Sequence, residues 1–103
     1  MAQIPEAVLS SGEKMPLLAM GTAAEHPLPG DLAHTLVHAM GIGYRHFDTA
    51  SLYGSEQAVG EAIAQALRHR IVQSRTHLFI TSKLWITDAH HDRVLPALKK
   101  SLE

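Results

Sequence analysis

Three residue types that can hold or release a proton stand near the ends of two predicted strands. Asp48 closes an apolar run, Tyr53 follows on the next loop, and Lys83 comes near the end of the following strand. An unperturbed tyrosine titrates at about 10, so at neutral pH it keeps a proton that it can donate. A nearby ammonium favours the phenolate and makes this proton easier to release, and a paired carboxylate keeps the ammonium charged and oriented. The three side chains together predict a general acid able to protonate a developing alkoxide.

The same residues also allow a purely structural interpretation. Asp48 and Lys83 would then form a buried stabilising ion pair, and Tyr53 would be a packing residue with a satisfied hydroxyl. Ion pairs at strand ends are common in proteins that have no activity there. The residue types alone therefore leave both interpretations open.

The predicted strands bring these side chains to one edge of a sheet. Ser11 and Gly12 mark the turn of an opening hairpin, and apolar or β-branched runs predict strands at 17–21, 44–50 and 77–85. Because helices alternate with the last three strands, we expect a parallel sheet with right-handed crossovers. In such sheets the loops after the strands share one functional edge. The residues expected there are Gly21, Thr22, Ala23, Asp48, Tyr53, Lys83 and Trp85.

Each predicted helix carries an apolar stripe at helical spacing. The first helix is expected to begin at Asp31 and to stop at Gly41 and Gly43. The second is expected to follow Ser55 as its N-cap, and the third is expected to be capped by Asp88 or a neighbour. The stripes are Leu32, Ala33, Leu36, Val37 and Met40; then Val59, Ile63, Ala66 and Leu67; then Val94, Leu95, Leu98 and Leu102. The last helix breaks off at "ALKKSLE" with no closing glycine, proline or polar tail, which predicts a cut within a domain.

Composition restricts the class of protein. With 103 residues the chain is one domain at most, and 46% hydrophobic and 18% charged residues are ordinary for a soluble protein. A net charge of −1 with interspersed signs argues against nucleic acid or an acidic membrane as a partner, and the lack of cysteine excludes disulfides and thiolate sites. The N-terminus lacks the features of a signal peptide and no apolar run approaches the roughly 20 residues of a membrane span, so a cytoplasmic protein is expected.

The eight histidines suggest a metal site only weakly. His34 and His38 are spaced by four, but the glutamate of the H-E-x-x-H motif is missing and both lie opposite the apolar stripe. The acids of "DAHHD" at 88–92 are explained by capping of a helix. We therefore predict no metal; a metal-dependent hydrolase would require stoichiometric zinc. His46 is expected to be a packed or hydrogen-bonded histidine.

Three spaced segments resemble a known family. "GYRHFDTASLYGSEQAVGEAI", followed by "LFITSKLWITDAH" and "VLPALKKSLE", closely resembles the aldo-keto reductases. The resemblance runs from about Val8 to the last residue and is nearest to the plant branch with chalcone-reductase-like, codeinone-reductase-like and deoxymugineic-acid-synthase-like enzymes. It implies an α/β fold, namely an N-terminal hairpin and the first three βα units of a TIM (β/α)8 barrel that is incomplete here. It also implies hydride transfer from NADPH to a small-molecule aldehyde or ketone, usually by a monomeric enzyme.

The resemblance assigns roles residue by residue. Tyr53 would be the general acid, Lys83 would lower its pKa, and Asp48 would support the lysine. Asp48 and Gly21-Thr22-Ala23 would lie beside the nicotinamide end of the cofactor, and Trp85 would line the carbonyl pocket. The opening hairpin would plug the bottom of the barrel.

The sequence departs from the family in two ways. Arg70 stands where relatives often have glycine, which would cost roughly 1 kcal/mol if the backbone there needs a positive φ. The catalytic histidine and the segments that grip the adenosine phosphates lie later in the family, whose barrel needs roughly 250 residues. We therefore expect 1–103 to be a partial NADP-dependent oxidoreductase domain, truncated at the C-terminus and inactive alone. The alternative is a non-catalytic truncated gene product or an interaction fragment, and the carbonyl substrate remains open.

Overall fold

A computed structural model of the chain describes residues 4–23, 29–50 and 54–102. It begins with the predicted hairpin, in which β1 (Glu6–Val8) pairs antiparallel with β2 (Lys14–Pro16). Gly12 takes the positive φ of 92° that the turn requires, and its N–H donates to the Leu9 carbonyl. The hairpin prediction is therefore confirmed.

Three short parallel strands form the sheet that positions the site. These are β3 (Met20–Gly21), β4 (His46–Asp48) and β5 (Phe79–Thr81), in that order across the sheet. Successive side chains of a strand point to opposite faces, so the register divides the sheet into two rows. Met20, Phe47 and Ile80 form one row and pack into the hydrophobic core. The other row contains Gly21, Asp48 and Thr81, which brings polar groups together on the opposite face.

Two helices cover the apolar row. They are α1 (Pro29–Ile42) and α2 (Glu56–Arg68), and they pack on each other as well as on Phe47. The predicted stripes are correct here, because Leu36, Met40, Val59 and Ala66 are buried in one cluster. Gly43, with φ 130°, ends α1 as predicted, whereas Gly41 is still helical.

The third helix, α3 (Val94–Leu102), is placed differently from the prediction. Asp88 does not cap it; Ile86–Asp88 forms a separate 3₁₀ turn, and α3 begins only after a further turn at 91–93. Pro96 is the third residue of α3, where the missing N–H is tolerated. None of the α3 residues is buried, so the predicted stripe of Val94, Leu95, Leu98 and Leu102 is exposed.

The strands are shorter than their apolar runs. The predicted strand 17–21 is limited to its last two residues, and Leu17 and Leu18 are exposed rather than buried on two faces. The other two runs, 44–50 and 77–85, each contain only three paired residues. An apolar stretch forms a paired strand only where an adjacent strand provides backbone hydrogen bonds. Hydropathy does not show how far that adjacent strand extends.

Candidate active site

The centre of the site is an ion pair between two strand ends. Asp48 is the last residue of β4, and Lys83 lies two residues after β5. Lys83 Nζ lies 2.8 Å from Asp48 Oδ2 and donates also to the Thr49 carbonyl oxygen at 3.0 Å. The prediction that the amine and the carboxylate meet is confirmed.

This ion pair is not the buried stabilising pair of the structural interpretation. The Lys83 and Asp48 side chains are 45% and 37% exposed. Exposed ion pairs contribute little to folding stability, typically about 0–1 kcal/mol. The contacts therefore do more to fix the position of the ammonium than to stabilise the fold.

Three buried hydroxyls lie directly behind the ion pair. Ser55 Oγ is 2.8 Å from Thr22 Oγ1 and 3.0 Å from Thr49 Oγ1, and the Thr22 hydroxyl donates to the Asp48 carbonyl oxygen at 3.0 Å. Each of these three residues is 2% exposed. They join the end of β3, the end of β4 and the start of α2, so the cluster fixes the relative positions of three elements that border the site.

Ser55 occupies the predicted N-cap position of α2 but does not cap it. Its φ of −102° and ψ of −6° are helical rather than extended, and its side chain makes no capping hydrogen bond. An N-cap serine usually accepts from a backbone N–H in the first helical turn. Here the hydroxyl is used by Thr22 and Thr49 instead, which corrects the capping prediction.

His46 connects the site face of the sheet to the hairpin. Its Nδ1 lies 3.0 Å from the Pro16 carbonyl oxygen and its Nε2 lies 3.2 Å from Thr81 Oγ1. Because a carbonyl can only accept, the Nδ1 N–H donates to Pro16. The Phe79 ring packs edge-on against His46 at 4.8 Å. The expectation of a packed, hydrogen-bonded histidine is confirmed.

Beside Lys83 the surface forms an open cavity of about 220 Å³. It is lined by Ser82, Lys83, Leu84, Val94, Ala97, Leu98 and Ser101. Glu56 at the start of α2 accepts hydrogen bonds from Ser82 at 2.7 Å and from Ser101 at 3.1 Å. These two contacts attach α3 to the strand end that carries Lys83.

The remaining predicted site residues are placed as follows. Gly21 and Ala23 are exposed at the end of β3, and Trp85 is 37% exposed just before the 3₁₀ turn. Tyr53 lies outside the described residues, so its role stays a prediction. The hydroxyl cluster was not predicted, although a threonine directly after each of two strands and a serine directly before a helix were the available signal.

Within residues 4–23, 29–50 and 54–102, no three histidine, aspartate or glutamate side chains come together in a way that would hold a metal ion. None of the helices in these ranges combines the length and hydropathy that crossing a membrane requires.

Comparison with known proteins shows the family. Residues 18–103 match the model of the Aldo/keto reductase family, so the chain belongs to the aldo-keto reductases. NADPH-dependent codeinone reductase 1-3 of Papaver somniferum is 54% identical over 101 residues, which are 96% of this chain and 31% of that protein. Deoxymugineic acid synthase 1-D of Triticum aestivum is 52% identical over 98 residues, 91% of this chain and 31% of that protein. The predicted resemblance to plant reductases is confirmed.

A crystal structure gives the same result for the fold. An aldo-keto reductase of Bombyx mori in complex with NADP matches 99% of this chain with a TM-score of 0.89 and 38% sequence identity. The match covers 34% of that protein. The chain therefore spans about a third of the length of the relatives that it matches. The parallel strands of its described residues form an open three-stranded sheet and not a closed barrel.

Proposed function

We propose that residues 1–103 are part of an NADP-dependent oxidoreductase domain that reduces an aldehyde or ketone to an alcohol. In this proposal the hairpin and the three strand–helix units are the first part of a (β/α)8 barrel, truncated at the C-terminus. The observation that carries it is the Lys83–Asp48 contact of 2.8 Å at the carboxyl end of parallel strands. That edge is where barrels of this class have their active sites.

The proposed chemistry requires a proton donor and a hydride donor. NADPH, when bound, supplies the hydride to the carbonyl carbon. Tyr53 donates its phenolic proton to the oxygen as negative charge develops there, and the nearby Lys83 ammonium makes that proton easier to release. Asp48 and the Thr49 carbonyl hold the ammonium in place, and Trp85 lines the pocket for the carbonyl substrate.

The residues at the ends of β3 and β4 leave open space in which a flat cofactor ring could lie. Gly21 lies in the same register row as Asp48, and a Cβ added at Gly21 would meet no atom within 4 Å. The row therefore has open space beside a carboxylate that accepts hydrogen bonds. In our proposal Gly21, Thr22, Ala23 and Asp48 lie beside the nicotinamide end.

The test uses the chain alone and a fusion. In the fusion, residues 1–103 replace the matched first third of codeinone reductase 1-3, and turnover is followed by loss of NADPH absorbance with an aromatic aldehyde. We expect no turnover by the chain alone, turnover by the fusion, and a loss of roughly 10²–10⁴-fold on Tyr53→Phe. Tyr44→Phe, in the core beside α1, should leave the rate unchanged. If the fusion keeps its turnover after Tyr53→Phe, Tyr53 is not the general acid. If the isolated chain shows turnover that Tyr53→Phe abolishes, the expectation that the chain alone is inactive is wrong.

One observation favours a second function. The α3 stripe is exposed, which suits a non-catalytic fragment that associates with an intact relative through this surface. Co-purification of the tagged chain with full-length codeinone reductase 1-3 tests this alternative. Absence of co-purification at concentrations that permit weak complexes would reject it.

A further inference from the structure

The hydroxyl cluster behind the ion pair has only one possible direction of donation. The Asp48 carbonyl can only accept, so the single hydroxyl hydrogen of Thr22 points to it. Ser55 must then donate to Thr22, which leaves Thr49 to donate to Ser55. The order Thr49, Ser55, Thr22, Asp48 carbonyl is thus a one-way chain of hydrogen bonds, in which each member polarises the next.

Both ends of this chain reach the ion pair. The Asp48 carbonyl, at one end, belongs to the residue whose carboxylate holds Lys83. Thr49, at the other end, accepts the Lys83 ammonium on its own carbonyl oxygen. The Thr49 N–H is fixed in turn by the Thr81 carbonyl at 2.7 Å. The hydroxyls and the ammonium therefore contact the same two residues at different atoms. Asp48 accepts from Thr22 on its backbone carbonyl and from Lys83 on its carboxylate, and Thr49 contacts Ser55 through its hydroxyl and Lys83 through its backbone carbonyl.

Ser55 stands at the N-cap position of α2 but does not act as a capping residue. A serine at the start of a helix normally stabilises the helix by capping, but Ser55 makes no such bond and is 2% exposed. Its contact with Thr49 also joins the two residues that bracket positions 50–54, among which is Tyr53. The side chain thus joins Thr22 to Thr49 instead of capping its own helix.

We propose that the Thr49–Ser55–Thr22 hydroxyl chain positions the Lys83–Asp48 pair, with Ser55 as the central positioning residue. The chemical purpose of this positioning rests on the proposed function, because an ammonium that activates a phenol must be held at a fixed place. The contacts themselves do not depend on that function. Removing the Ser55 hydroxyl leaves the Thr49 hydroxyl without its acceptor and the Thr22 hydroxyl without its donor. We therefore expect Thr49 to be held less firmly, and its carbonyl to hold Lys83 less firmly, although the Thr49 N–H keeps its bond to Thr81.

The experiment measures hydrogen exchange of the Lys83 ammonium with water in the full 103-residue chain labelled with ¹⁵N-lysine. The exposed Lys99 and Lys100 provide internal references. We expect Lys83 to exchange more slowly than these two, and Ser55→Ala to accelerate it roughly fivefold, the factor that corresponds to about 1 kcal/mol for one net hydrogen bond. Ser74→Ala removes the hydroxyl that accepts from the Thr76 N–H at another helical start, and should change nothing.

A second pair of variants separates hydroxyl from packing. Thr49→Val keeps the volume and loses the hydroxyl, whereas Thr49→Ser keeps the hydroxyl and loses a methyl group. We expect Thr49→Val to accelerate Lys83 exchange and Thr49→Ser to leave it unchanged, the reverse of the order that packing alone predicts. Val72→Ala, which weakens the core, should lower stability without affecting Lys83.

Three results would overturn the positioning role. They are unchanged Lys83 exchange in Ser55→Ala, equal effects of the two Thr49 variants, and a Lys83 ammonium that already exchanges as fast as Lys99 in the unaltered chain. The readout needs neither cofactor nor substrate. Failure of the reductase assay therefore rejects the proposed function without touching this result, and the converse holds as well.

Discussion

Arg70 has a left-handed backbone conformation, with φ 58°, directly after the C-terminal end of α2. The Ile71 N–H donates to the Ala66 carbonyl and the Arg70 N–H to the Leu67 carbonyl, which is the hydrogen-bond pattern of a Schellman motif. Glycine is usual at this place because a Cβ in the left-handed region costs roughly 1–2 kcal/mol. The structure thus confirms that the departure from the family at Arg70 carries strain.

The first prediction concerns this residue. Arg70→Gly should raise the free energy of unfolding by up to about 1 kcal/mol, since relief of strain exceeds the entropy that glycine adds to the unfolded chain. Arg68→Gly, in regular helix two residues earlier, should instead lower it by about 1 kcal/mol. Urea titration measures both, and a destabilised Arg70→Gly variant would contradict the assignment of strain.

The second prediction concerns His46. His46→Leu keeps an apolar side chain beside the Phe79 ring but removes both polar contacts, to the Pro16 carbonyl and to Thr81. We expect the amide hydrogens of the hairpin to exchange faster, while those of α1 keep their rates. His77→Leu, at an exposed histidine, is the matched control. Equal hairpin exchange in the two variants would show that His46 does not anchor the hairpin.

At the scale of elements, α3 depends on few contacts. It buries no residue, and Glu56 receives hydrogen bonds from Ser82 and Ser101 that attach it to α2 and to the end of β5. A helix of nine residues is marginal in water without such tertiary support. Among the described residues, the Glu56 carboxylate is therefore one of the groups that fix the orientation of α3.

The third prediction follows from that carboxylate. Glu56→Ala should increase amide hydrogen exchange throughout α3, because both serine contacts are lost, and should leave α1 protected. Glu61→Ala, at an exposed position of α2, which also contains Glu56, tests for a general effect of losing a charge. Unchanged protection of α3 in Glu56→Ala would mean that apolar contacts suffice to hold it.

The elements also show what the sequence allowed us to predict. Leu36, Met40 and Val59 follow helical periods and face one core, so α1 and α2 and their buried stripes were predicted correctly. Asp48 and Lys83 meet because parallel strands end at one edge, which topology alone implies. The start of α3 was missed because Asp88 is a good capping residue that instead closes a 3₁₀ turn, and the role of Ser55 depends on hydroxyl partners 6 and 33 positions away.

At the scale of the whole molecule, an apolar surface is exposed. The exposed residues of α3 are Val94, Leu95, Leu98 and Leu102, each at least 45% exposed. Leu84 and Ile86, in the segment before α3, are exposed as well. Leu84, Val94 and Leu98 line one cavity, and apolar surface exposed in this way marks association sites or leads to aggregation. In the proposed barrel, further strand–helix units would cover it.

The fourth prediction concerns this surface. We expect the isolated chain to self-associate as its concentration rises, and Leu95→Lys with Leu98→Lys to reduce the association. Val8→Lys changes an apolar residue on the hairpin that is more exposed than either leucine, and should have little effect. Sedimentation velocity over a concentration series distinguishes the variants. If all three proteins associate alike, the α3 surface is not responsible.

The strands β3, β4 and β5 follow one another across the sheet in the order in which they are synthesised. Each later strand of this sheet can therefore pair with a strand that has already been synthesised. Phe47 can be covered by α1 and α2 before Leu78, a member of the same cluster, is synthesised. Such strand-by-strand growth keeps sequence separations short and lets folding accompany translation.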